Sequence, residues 1–166
     1  MVRSSLLGCV RMKTVQQWLA EYGESHQNET NKLLHWICVP IIVVSLVGLL
    51  WSLPVPQGMR EISPLLNWGT LLLVFGVLYY LRLSTSLALG MLVFSVLVTL
   101  CVLALTHLPW PLWAVCATLF IVAWIGQFVG HHVEGKRPSF LQDVQFLMIG
   151  PLWLLSFLYR RLGIRY

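Results

Sequence analysis

Five apolar runs set the limits on what this chain can fold into. They cover residues 36–51, 65–81, 87–106, 110–130 and 144–159. A helix that crosses the hydrocarbon core of a bilayer takes roughly 17–25 residues. The third and fourth runs meet that comfortably and the first two marginally. The fifth is short and carries Gly150-Pro151 at its middle. Proline removes an amide donor and bends a helix, so the fifth run reads as a re-entrant or interfacial element. Charged residues make up only 10% of the chain and hydrophobic ones 58%, against about 25% charged in an ordinary soluble domain. A water-soluble fold of 166 residues would have to leave much of that apolar surface in water. The expected fold is all-α: an integral membrane helical bundle of four transmembrane helices plus a short re-entrant or interfacial C-terminal helix pair. It forms one membrane domain over 1–166, with 1–13 a disordered extension, 14–35 a cytoplasmic amphipathic helical segment and 36–166 the bundle. Met12 is a candidate start, because the amphipathic pattern begins at Thr14-Val15.

The formal charge of +5 sits beside the apolar runs and forms no stripe for nucleic acid. Lys and Arg concentrate on the cytoplasmic side of membrane proteins. Arg3, Arg11, Lys13 and Lys32 precede the first run, Lys136 and Arg137 follow the fourth, and Arg160, Arg161 and Arg165 follow the fifth. Four crossings with both termini in the cytoplasm satisfy that rule, and a bacterial inner membrane is the expected location. Cys9, Cys38, Cys101 and Cys116 have no metal-site spacing, and the last three read as small core residues. Trp36, Trp51, Trp68, Trp110 and Trp153 read as interfacial anchors.

The same topology sorts the five histidines. His26 and His35 precede the first crossing; His131 and His132 follow the fourth; His107 alone falls on the other side. Four imidazoles therefore meet one membrane boundary. Gln127, His131 and Glu134 share a helical face at i, i+4, i+7, and Asn28, Asn31 and His35 share another at i, i+3, i+7. His26 and His35, nine apart, converge only if the chain bends between them or if His26 precedes the helix. Imidazole suits iron, zinc, copper and nickel, and amide or carboxylate groups support such sites. Snorkelling or capping histidines of a non-catalytic protein, and axial ligands of a haem, are the competing readings. Lys136 and Arg137 read as orienting charges or as an anion site.

The stretch Ser25-His26-Gln27-Asn28-Glu29-Thr30-Asn31-Lys32-Leu33-Leu34-His35, ending in Pro40, resembles the opening motif of the fungal 2-hydroxy fatty acid dioxygenase family and its bacterial and plant relatives. Glu29 stands where that family often has proline. Gln127-Phe128-Val129-Gly130-His131, followed by Glu134, Lys136, Arg137 and Pro138, resembles the family's second block. The resemblance runs from about Val15 to the C-terminus. It implies an Fe(II)-dependent dioxygenase that shortens long-chain 2-hydroxy fatty acids by one carbon, with dioxygen as co-substrate and membrane lipid around it. It implies His26, His35 and His131 as metal ligands and His132 as a fourth candidate. Glu134 is expected at the catalytic centre, with Asn31 and Gln127 behind the ligands. Lys32, Lys136 and Arg137 are candidates to pair with the substrate carboxylate.

Overall fold

The computed structural model describes residues 13–136 and 145–166; Cys9 and Arg137 lie outside them, as does most of the proposed 1–13 extension. The described residues form seven helices: α1 (Val15–Glu24), α2 (Glu29–Trp51), α3 (Gln57–Ile62), α4 (Trp68–Leu83), α5 (Thr85–Thr106), α6 (Leu112–Glu134) and α7 (Gln145–Leu162). No strand occurs among the described residues. α2, α5 and α6 are each long and apolar enough to cross a membrane, and α4 is a shorter apolar helix of 16 residues. Their outward side chains are bare aliphatic and aromatic groups such as Phe75, Val93, Leu100 and Ile121, the surface that hydrocarbon rather than water accepts.

α2 and α6 make the closest pairing, and small residues set its register. A Cβ added at Gly48 would run into Cys116 Sγ; one at Gly126 would lie 2.6 Å from Cys38 Sγ, and one at Gly130 2.5 Å from Asn31 Oδ1. The three pairings run in opposite directions along the two helices, so α2 and α6 are antiparallel. Small residues let helix backbones approach where lipid offers no hydrophobic drive between helices. Cys38 and Cys116 are thus seam residues, as expected of small core cysteines, whereas Cys101 is exposed.

α7 departs from the expected broken hairpin. It runs as one helix through Pro151, and Ile149, Leu152 and Trp153 are buried. Proline at 151 deletes the donor to the Leu147 carbonyl and loosens the next bond, to Met148. The Tyr80 hydroxyl donates to the Met148 carbonyl at 2.6 Å, and the Tyr159 hydroxyl donates to Ser86 O at 2.6 Å. These bonds bind α7 to α4 and α5. The largest buried cluster joins α7 to Val15 and Tyr22 of α1, Val39 of α2, and Leu87, Ala88 and Met91 of α5. Trp153 therefore belongs to the core, not to an interfacial belt.

Candidate metal centre

The site forms where α1 ends, α2 begins and α6 ends. Thr14 opens α1 with a capping box to Gln17. α1 stops at Glu24, and Asn28 then starts α2, its Oδ1 accepting from the backbone N–H groups of Thr30 and Asn31. The four residues between the helices make the bend that His26 and His35 need. α6 continues through Glu134 and ends on Gly135 in the left-handed conformation (φ 71°). The segment 130–134 is therefore the last turn of a helix. That geometry separates the neighbouring histidines: His131 is buried, while His132 is exposed and outside the cluster.

His26, His35 and His131 each offer one ring nitrogen, all within 4.8 Å of one another. Ring centroids lie 4.2 Å apart for His26 and His35, 5.0 Å for His26 and His131, and 5.1 Å for His35 and His131. The three rings are nearly perpendicular in pairs, with interplanar angles of 86°, 75° and 88°.

The tautomers follow from the backbone. His26 Nδ1–H donates to the Tyr22 carbonyl at 2.6 Å, and His35 Nδ1–H donates to the Asn31 carbonyl at 2.9 Å. With both Nδ1 protons committed, each neutral ring presents a lone pair at Nε2, and these two atoms are 2.9 Å apart. Two lone pairs repel at that distance unless a cation lies between them. Bonds of about 2.1 Å at a right angle would set adjacent imidazole nitrogens about 3.0 Å apart. Burial holds His26 down to about pKa 4, so its ring is neutral at physiological pH, the state a metal requires. His131 Nδ1, Asn31 Oδ1 and the Gln127 amide nitrogen are buried with no hydrogen-bond partner among the described residues, an exception to the usual pairing of buried polar atoms that fits a site built to hold a polar group. The donor set and its spacing fit a metal ion held by three neutral imidazoles. They do not fit haem between His26 and His35, since axial nitrogens across an iron stand about 4 Å apart.

Glu134 faces the bend. Its carboxylate accepts from the backbone N–H groups of Gln27 and Asn28, each at 2.8 Å, and from Asn31 Nδ2 at 3.1 Å. It ties the His26 segment to the helix that carries His131. Lys136 donates to the Glu24 carbonyl at 2.6 Å, on the end of α1. Lys32 is half-buried on the first turn of α2, beside Asn31. Gln127 is buried one turn above His131. Sequence reasoning passed over Tyr22 and Trp153. The Tyr22 ring stacks on His26 at 4.2 Å and 10°, and Trp153 lies 5.1 Å from it. The one legible signal was Tyr22 four residues before His26, the spacing that lets its carbonyl take the imidazole proton. Burial pushes the Tyr22 phenol well above its ordinary pKa, so it adds an uncharged wall.

The role of Glu134 as a clamp gives a first prediction. Glu134→Ala strands two backbone donors and frees the bend, and bonds to a charged acceptor contribute about 1.5–3 kcal/mol each, less where solvent reaches the group. A loss of about 2 kcal/mol in stability is expected. Metal affinity should fall about 10–100-fold, as when an outer partner of a ligand is removed. Glu134→Gln, which keeps one acceptor oxygen, should recover part of both. Thermal melting and competitive chelator titration measure the two effects. A Glu134→Ala protein that binds metal as tightly as its parent would remove the clamp.

From this centre a cavity of about 170 Å³ extends into the bundle. Tyr22, His35, Gln127 and His131 line its mouth. Val39, Ile42, Val43 and Val47 of α2, Leu72, Leu73, Gly76 and Val77 of α4, and Met91 and Phe94 of α5 line its depth.

A family model described as "2-hydroxy-palmitic acid dioxygenase Mpo1-like" matches residues 12–162. A similar protein is the 2-hydroxy-palmitic acid dioxygenase MPO1 of Saccharomyces cerevisiae, 32% identical over 145 residues that cover 86% of this chain and 78% of the yeast protein. No solved structure matches. The matched span takes in the bend with His26, the first turns of α2 with His35, and the last turn of α6 with His131, and on that ground the chain belongs to the Mpo1-like family.

Proposed function

We propose that this protein is an Fe(II)-dependent dioxygenase of the membrane that converts a long-chain 2-hydroxy fatty acid to the acid one carbon shorter. The observation that carries the reading is the pair of imidazole Nε2 atoms 2.9 Å apart, each with its proton fixed on the opposite nitrogen, at the mouth of an apolar cavity. The reaction balances without a second reductant: the 2-hydroxy acid and dioxygen give the shorter acid, carbon dioxide and water. The hydroxyl-bearing carbon and the carboxyl carbon between them supply the four electrons that one dioxygen takes up.

His26, His35 and His131 hold the metal in this reading, and bound Fe(II) supplies a centre that takes the hydroxyl and carboxylate together and lets dioxygen react. The carbonyls of Tyr22 and Asn31 keep the His26 and His35 lone pairs aimed inward. The rings of Tyr22 and Trp153 close one side of His26 to water. Asn31 and Gln127 offer unpaired polar atoms beside the centre, where they can orient the reacting head of the substrate. Glu134 acts through the bend; it is a positioning residue. Lys32 is the described cation near the mouth that is left to meet a carboxylate, since Lys136 serves the end of α1. The tail lies among α2, α4, α5 and α7.

The direct test is anaerobic purification, metal analysis and an optical spectrum, then incubation with 2-hydroxypalmitate, Fe(II) and oxygen. Stoichiometric iron without a Soret band, and pentadecanoate with carbon dioxide as products, are the expected results. Zinc at full occupancy with no product would end the proposal.

The Lys and Arg distribution supports a topology with the centre and both termini on the cytoplasmic side and α2, α4, α5 and α6 crossing. Single cysteines at Gln27 and His132, in a background without the native four, should then react with a membrane-impermeant maleimide from the cytoplasmic side only. Labelling of the two positions from opposite sides would contradict the shared centre.

A further inference from the structure

Two glycines on α4 face the same direction, seven residues apart, and differ in what stands in front of them. A Cβ at Gly69 would lie 2.7 Å from the Val47 carbonyl oxygen and 3.1 Å from Val47 Cγ1. That glycine exists so that α4 can cross α2, and no larger residue fits without parting the helices. A Cβ at Gly76 would meet only Met148 Cε, at 3.8 Å, an ordinary contact. Gly76 is nonetheless buried, and it lines the cavity. A glycine inside a helix weakens it, and here no neighbouring backbone demands one. What fills the space before Gly76 is the cavity itself.

We propose that Gly76 sets the length of acyl chain the cavity accepts, with the Gly69–Val47 crossing as its floor. The inference rests on the reading of this cavity as the seat of the substrate's tail. Along α2 the lining runs from His35 to Val47, a depth of about 18 Å at 1.5 Å per residue. An extended chain advances about 1.2 Å per bond, so this span matches the length of a chain of roughly 14–16 carbons. Gly76 stands about 10 Å above the floor by the same helical rise. A bulky side chain there leaves about 8 Å, enough for a chain of about 7–8 carbons.

The test uses the full-length protein in nanodiscs and reads binding separately from turnover. Displacement of a fluorescent fatty acid by 2-hydroxy acids of 8 to 20 carbons gives a length profile for the parent, Gly76→Ala, Gly76→Leu and Gly69→Ala proteins. Gly76→Leu should lose at least tenfold in affinity for the 16-carbon acid while keeping affinity for the 8-carbon acid, with an unchanged metal content. Gly76→Ala, the variant that folds most readily, should shift the optimum in the same direction by one or two carbons. Gly69→Ala should lower the melting temperature, because its Cβ meets the Val47 carbonyl oxygen. An equal loss at every length, or an unmoved optimum in both Gly76 variants, overturns the proposal. A shifted profile in protein that oxidises none of these acids supports the ruler and overturns the dioxygenase reading, so the two fail separately.

Discussion

Alanine at His35 should leave a folded protein that has lost its metal. A structural ion held by four ligands contributes about 10–16 kcal/mol, so one imidazole of three or four carries roughly 3–4 kcal/mol, on the order of a hundred- to a thousandfold in affinity. Of the three proposed ligands, His35 has the least freedom to be replaced. It stands on the rigid first turns of α2, 1% exposed, with its Nδ1 proton fixed on the Asn31 carbonyl. The fold should survive the change. Truncating a buried ring leaves a void, but in the metal-free protein it also removes one of two opposed Nε2 lone pairs, and the repulsion it relieves offsets part of the cost. His26→Ala and His131→Ala should behave alike. His107→Ala should bind metal as the parent does, because His107 caps α5 at the far end of the bundle, where Val47, Val98 and Val102 pack. Mass-spectrometric metal content per protein, read beside helicity and gel filtration, decides it. Full iron occupancy in His35→Ala would sink the three-histidine centre.

The elements of this fold were unequally legible for physical reasons. The spanning helices announce themselves because a run of uninterrupted apolar residues has no other stable home. The convergence of histidines at one boundary followed from that topology. What spacing could not give was the bend. Nine residues on a continuous helix put His26 and His35 on opposite faces, and only the stop after Glu24 and the Asn28 cap reverse this. Those signals are local and weak beside the apolar pattern. His131 and His132 carry the same chemistry in sequence; 100° of helical rotation buries one and exposes the other, and the segment had to be helical through Glu134 for that to apply. Glu134 illustrates a different gap. Its spacing from His131 put it on the same face of α6, where its carboxylate serves the backbone of the bend. Which group an acid meets is decided across elements, and sequence spacing on one helix is silent about it. Pro151 pointed to a re-entrant or interfacial helix pair, but α7 is one helix, held beside the proline by the Tyr80 hydroxyl on the neighbouring Met148 carbonyl.

The chemistry of the substrate head yields the last and widest prediction. With Fe(II) and oxygen and no added 2-oxoglutarate, a 2-hydroxy acid should be turned over, whereas the unsubstituted acid and the 3-hydroxy acid of equal length should react at least a hundredfold more slowly. All three fill the apolar cavity equally well, because their tails are the same and the lining from Val39 to Val47 is indifferent to the head. The difference must therefore arise among the polar groups at the mouth: three imidazoles, the Asn31 carbonyl-type oxygen and the Gln127 amide nitrogen, both without partners among the described residues. A 2-hydroxy acid presents two oxygens from adjacent carbons to that centre. The unsubstituted acid presents its carboxylate alone and leaves a buried polar position unmatched, a mismatch that costs about 1–3 kcal/mol before any chemistry. The 3-hydroxy acid sets its hydroxyl one carbon further along, so the carbon beside the carboxylate carries no oxygen and the four-electron cleavage has no starting point. For the 3-hydroxy acid the discrimination should thus appear in kcat more than in KM, since binding of the tail is shared, whereas the unsubstituted acid should lose in KM as well. Product analysis by mass spectrometry with matched 16-carbon acids, repeated under nitrogen, separates the possibilities. Equal turnover of the three acids, or any turnover without oxygen, would show that the chemistry is not oxidative decarboxylation, whatever the metal content.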